Sequence, residues 1–76
     1  MTIRLNGETR ELAGPVSISA LLTALDIDPR RVAVEHNLVV VKRDAYASTV
    51  VSDGDDVEIV NFVGGGAPVP DWSTED

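Results

Sequence analysis

Val57-Glu58-Ile59-Val60-Asn61-Phe62-Val63-Gly64-Gly65-Gly66 is the stretch on which the fold of this chain turns. Val57, Ile59 and Asn61 alternate with Glu58, Val60 and Phe62, so both faces carry apolar side chains, as in a strand at the middle of a sheet. That strand runs directly into three glycines, which neither extend a sheet usefully nor hold a helix. Lacking a Cβ, such a segment can lie extended, turn either way and pass through a channel too narrow for any side chain. The whole reads as a rigid base carrying a slender arm. If the chain ended at Gly66, its α-carboxylate would stand on an unhindered tether, open to activation by an enzyme. Ten further residues, 67–76, follow the glycines, and a function built on that carboxylate has to account for them.

Upstream, Thr2-Ile3-Arg4-Leu5 alternates polar and apolar, and Asn6-Gly7 is the strongest two-residue hairpin signal. Residues 8–13 therefore read as the returning strand, with Leu12 inward, stopped at Gly14-Pro15 where proline forbids ladder pairing. Ser17 is a good N-cap for a short helix that sets Ile18, Leu21, Leu22 and Leu25 on one face. Ala20 stands where a capping box would carry Glu or Gln, and Asp28-Pro29 is expected to end the helix. Val32-Ala33-Val34 reads as a central strand closed by a turn at Glu35-His36-Asn37. Leu38-Val39-Val40-Val41 follows as a second short strand, whose four aliphatic residues predict burial on both faces or a crossing of the core's edge. Residues 42–48 lose periodicity, with the Tyr46 ring on the core, and Ser52-Asp53-Gly54-Asp55 is the turn before the last strand. Hairpin, helix, two short strands, irregular crossover and final strand together predict an α+β fold of β-grasp type. It has a mixed sheet of four to five strands, one main helix packed across it, and the last strand parallel to the first. Residues 1–66 form this domain, and 67–76, where Pro68 and Pro70 block regular structure, form a flexible tail or linker.

At 76 residues, 43% of them hydrophobic and 25% charged, the chain suits one small globular domain near the lower size limit for an unaided core. The absence of cysteine excludes a disulfide framework and any cysteine-based metal site or nucleophile. Met1-Thr2-Ile3-Arg4 does not open a signal peptide and no run is long and apolar enough to span a membrane, so the cytoplasm is the expected location. Thirteen acids against six bases give a formal charge of −7, which disfavours nucleic acid and anionic membranes as partners. Such a balance suits a basic protein partner, or simply solubility.

Gly64-Gly65-Gly66 is not a dinucleotide fingerprint, which needs a helix opening behind it, and Ala67-Pro68-Val69-Pro70 offers none. A flexible linker is the plain alternative. His36 is the single histidine; without a second ligand it reads as a surface turn residue, with no orienting partner for a triad. Asp53, Asp55 and Asp56 lack the spaced ligands and bidentate glutamate of a calcium loop and read as a solvated turn. No metal site and no catalytic residue are expected. Lys42 is the only lysine, so lysine-linked self-polymers would have one internal acceptor.

Taken in order, Asn6-Gly7-Glu8, Val32-Ala33-Val34-Glu35-His36-Asn37, Asp53-Gly54-Asp55 and Val60-Asn61-Phe62-Val63-Gly64-Gly65-Gly66 resemble the ThiS family, the sulfur carriers of thiamine biosynthesis. The resemblance covers residues 1–66 and implies a ubiquitin-like β-grasp. The molybdopterin-synthase small subunit and the sulfur carriers of cysteine and secondary-metabolite pathways share this fold and ending, and ubiquitin is a distant cousin. It further implies chemistry on the chain's own terminus. The Gly66 carboxylate would attack the α-phosphate of ATP inside a ThiF-like adenylating enzyme, and sulfur would then displace AMP to leave a thiocarboxylate. That soft, anionic nucleophile would be delivered to an acceptor such as a ThiG-like thiazole synthase. On this reading the carrier is no enzyme and binds no cofactor, ATP being used by its partner. Gly64, Gly65 and Gly66 form the arm, and Phe62 and Val63 dock on the partner just ahead of it. The departure is the tail. Residues 67–76 would be removed by a protease of JAMM type, serve as a linker to a downstream domain such as a thiazole synthase, or fold back over the arm through Trp72. Two readings from other classes stand beside this one: a ubiquitin-like modifier forming isopeptide bonds through Gly66, and a plain interaction domain whose glycines are only a linker.

Overall fold

The computed structural model describes residues 1–62. The sequence readings on Val63, Gly64, Gly65, Gly66 and residues 67–76 lie outside the described residues.

Asn6 and Gly7 both take positive φ, 51° and 82°, the pair of left-handed residues demanded by the hairpin turn whose twist matches the flanking strands. β1 (Thr2–Leu5) and β2 (Glu8–Glu11) consequently pair antiparallel, with Leu5 opposite Glu8 and Thr2 opposite Glu11. The returning strand is shorter than residues 8–13. It is exposed throughout, and Leu12 lies just past its end, half-buried against the core. A two-residue strand β3 (Val16–Ser17) then leads into α1 (Ile18–Ala24). Ser17 caps the helix as expected, its hydroxyl accepting from the Ala20 N–H at 2.9 Å.

The helix ends earlier than Asp28-Pro29 because Asp26 turns left-handed at φ 60°. The Asp26 N–H donates to Thr23 O at 3.0 Å and the Ile27 N–H to Leu22 O at 2.9 Å, the paired bonds that close a helix C-terminus with a reversal of the chain. The reversal carries Ile27 back onto the core, and that burial is the physical reason for the early stop. Pro29 opens a 3-10 turn (Pro29–Arg31) instead, capped by the Asp28 carboxylate accepting from the Arg30 N–H at 2.9 Å.

β4 (Val32–His36) runs two residues further than expected, and the turn falls at Asn37-Leu38, with φ of 52° and 70°. β5 (Val39–Val41) returns antiparallel. It is an edge strand, so of the two outcomes that the sequence left open the crossing of the core's edge holds and burial on both faces does not. Leu38 is 84% and Val39 66% exposed, and only Val41 enters the core. A second 3-10 turn (Arg43–Ala45) brings the Tyr46 ring into the core as expected. β6 (Val50–Val51) then pairs with β3 in a small separate ribbon that has no signature in the sequence.

β7 (Asp56–Asn61) is the centre of the sheet. The strand order is β2-β1-β7-β4-β5, with β7 parallel to β1 and antiparallel to β4. Ile18, Leu21 and Leu22 of α1 share one core with Ile3, Val34, Val57 and Ile59 from the sheet. The opposite face of the sheet is open, and Val60 there is 46% exposed.

Candidate functional site: the root of the C-terminal arm

β7, the strand that precedes the glycines in sequence, is held from both sides. On one side the Asn6 side chain behaves as an extra peptide unit. Its Nδ2 donates to Ile59 O at 3.1 Å and its Oδ1 accepts from the Ile59 N–H at 2.7 Å, while the Asn6 backbone N–H donates to Val57 O at 2.9 Å. On the other side Asn37 clamps the start of the strand. Its backbone N–H donates to Asp56 O at 2.8 Å and its Oδ1 accepts from the Asp56 N–H at 2.9 Å. Both asparagines sit in left-handed turn positions, which their short polar side chains tolerate. The same geometry that makes each turn therefore aims an amide at the central strand.

Phe62, the last described residue, is half-buried, and its N–H donates to Arg31 O at 2.9 Å. The ladder between β4 and β7 is thus held one step beyond Val32 and Asn61. Arg30 and Arg31 are exposed at this root. Arg30 forks onto Asp28, with Nε at 3.2 Å and Nη2 at 3.1 Å, and holds that carboxyl below the ordinary aspartate range. The acidic turn containing Asp53 and Asp55 leads into the opposite end of the strand, roughly 17 Å from the root at the usual rise per residue. The described domain therefore carries arginines, one of them paired with Asp28, where β7 ends and aspartates where it begins.

His36 departs from the sequence reading. It is half-buried, and its Nε2 lies 2.7 Å from Asp55 Oδ2. Asp55 also accepts from the Ser52 N–H at 2.8 Å. The His36 contact, and after it the Ser52 bond, hold the Asp55 carboxyl below its ordinary value. The pair was invisible in sequence because the two residues are brought together only by the β4–β7 register, which sets His36 opposite Val57. It braces a hairpin to a turn, and Asp53 does the same for the N-terminus by accepting from the Thr2 N–H at 2.8 Å. Among the described residues no group of three His, Asp or Glu side chains could hold a metal ion, and no helix is long and apolar enough to cross a membrane. Burial pushes the Tyr46 phenol up, its hydroxyl lying 3.5 Å from Val32 O, which makes it a packing residue.

A mixed sheet with one helix across it and its last strand at the centre, parallel to the first, defines a ubiquitin-like β-grasp domain. The sequence profile of the ThiS family matches residues 3–66, and the chain belongs to that family. The crystal structure of the thiamine biosynthesis protein ThiS from Geobacter metallireducens superposes with a TM-score of 0.77 at 38% identity. The match covers 87% of this chain and 100% of that one. A thiazole synthase of Paramagnetospirillum magneticum is 45% identical over 74 residues, 97% of this chain but 23% of its own length. This chain thus spans about a quarter of the thiazole synthases it matches. The protein ycf40 of Porphyra purpurea is 38% identical over 66 residues, 93% of its length.

Proposed function

We propose that this chain is a sulfur carrier of thiamine biosynthesis whose working atom is the terminal carboxylate of Gly66. The observation that carries the reading is a ThiS-family match that ends at Gly66, on a chain whose central strand β7 closes at Asn61, a few residues before it in sequence. A ThiF-like enzyme joins the carboxylate to the α-phosphate of ATP with loss of pyrophosphate. A sulfur nucleophile then displaces AMP and leaves the thiocarboxylate. Gly64 and Gly65, without side chains, keep the arm thin enough for a narrow active-site channel, and Phe62 and Val63 dock ahead of them. The carrier contributes confinement rather than catalysis: a tethered nucleophile meets its acceptor, a ThiG-like thiazole synthase, at high effective concentration. The cytoplasm, where ATP is available, is the compartment that suits this chemistry.

Gly66 has no free carboxylate while Ala67 follows it, so the peptide bond between them must be hydrolysed. Removal of residues 67–76 by a protease is one route. A second reading is favoured by a specific observation: similarity to the longer thiazole synthase runs over 97% of this chain, past Gly66. On that reading residues 67–76 link the carrier to its acceptor. In either case the chain cut after Gly66, incubated with the adenylating enzyme, ATP and a sulfur source, gains about 16 Da, oxygen replaced by sulfur in the carried group. No gain would sink the proposal. Covalent adducts on partner lysines in its place would mark a protein modifier.

A further inference from the structure

The two edges of the sheet are chemically unlike. β2 reads Glu8-Thr9-Arg10-Glu11 and is exposed along its length, the charged kind of edge that repels an added strand. β5 reads Val39-Val40-Val41 without a charge, and Leu38 ahead of it holds φ 70°. That backbone state suits glycine and penalises a branched side chain, yet Leu38 recovers little by burial. Strain kept at an exposed apolar residue is a pointer to use. His36 and Val39 close the two-residue turn, so the ladder's alternation points the Val40 N–H and C=O away from β4, toward any further strand.

Val40, Glu35 and Glu58 form one cross-strand row over β5, β4 and β7, on the face opposite the helix. Glutamates directly opposite one another repel, and among the described residues neither joins an ion pair. We propose that β5 is a docking edge for an extended strand of a partner whose aliphatic side chains alternate with arginine or lysine. A cation opposite Val40 lays its stem over the valine and reaches Glu35 across two strand spacings, roughly 10 Å, which the two side chains span together. A second copy of this chain fits less well, because its own Glu35 row would face the first and each copy carries −7. Three residues of edge bury far less than the roughly 1,200 Å² of a stable complex, so the contact supplements the arm rather than replacing it. Naming the partner as the adenylating enzyme rests on the carrier reading above.

The test is a titration of the ¹⁵N-labelled full chain with the capped pentapeptide threonine-valine-arginine-valine-threonine, followed by amide shifts. Shifts should centre on Val39, Val40, Val41 and Glu35 with a Kd on the order of millimolar. A peptide with glutamate for arginine, or the Glu35→Gln variant, should bind at least about fivefold more weakly. In the adenylation assay on the chain cut after Gly66, Leu38→Gly should raise KM with kcat unchanged while not lowering thermal stability, an opposition that a merely structural role would not produce. Shifts that are absent, that map to β2, or that ignore the arginine overturn the proposal, as does a dimer formed through β5 in sedimentation. Failure of Gly66 to be activated at all strikes the carrier reading instead and leaves the peptide titration to judge the edge.

Discussion

Replacing Asn6 by glycine isolates the amide clamp on β7. Glycine accepts the φ of 51° without steric strain, so the turn survives, and beyond the lost side chain only the greater chain entropy of glycine, up to about 1 kcal/mol, enters. Two bonds disappear, at 2.7 and 3.1 Å, both to the partly buried backbone of Ile59. A net value near 1 kcal/mol for each bond, raised because the Ile59 N–H and C=O are left poorly hydrated, gives a loss of about 2–4 kcal/mol. For a domain whose stability is of order 5 kcal/mol this is a large share. With a urea slope near 1 kcal/mol per molar, the midpoint should fall by roughly 2–4 M. Asn6→Ala should cost about 1 kcal/mol more, since alanine is strained in the left-handed region. Urea unfolding followed by far-UV circular dichroism reads the stability, and hydrogen exchange at the Ile59 amide reads the clamp itself. A loss below about 0.5 kcal/mol for Asn6→Gly, with Ile59 still protected, would refute the idea that a turn side chain holds the arm's root.

Other expectations follow the same logic. Asp55 is held below its ordinary value of 3.8 by His36 and the Ser52 N–H. The unfolded chain therefore takes up that proton first, and the stabilisation is complete above 3.8 and lost as pH falls through the lower folded value. Asp55→Asn should flatten the stability profile in that acid window, and an unchanged acid-unfolding curve would count against the pairing. Leu22→Ala removes a fully packed core side chain while leaving the backbone carbonyl that accepts from the Ile27 N–H in place. The expected loss is about 3 kcal/mol by urea titration. Leu38→Gly trades relief of a strained φ against the greater chain entropy of glycine and a small loss of burial. A gain of up to about 1 kcal/mol is expected, and a loss of that size would show Leu38 to be packed.

The fold was legible wherever a local rule acts on a few neighbouring residues. Asn6-Gly7 specified its turn, Ser17 specified the start of the helix, and the apolar alternation of Val57 to Phe62 placed β7 at the centre of the sheet. The ThiS-family match through Gly66 was equally a matter of sequence, because residue type and order are what define it. The positions misread or left open share one physical cause: the outcome there depends on what a residue meets after collapse. Asp26 ended the helix because the reversal buries Ile27, and no rule within the helix itself anticipates that burial. Leu38-Val39-Val40-Val41 left burial on both faces and a crossing of the core's edge both open, and strand order decided for the edge, where only Val41 enters the core. His36 found Asp55, and Asn6 found Ile59, across strands far apart in the chain. Local propensity chose the elements of this protein, whereas strand order and register, which cost chain entropy and are settled only by burial, decided which side chains became braces, which became core and which were left exposed.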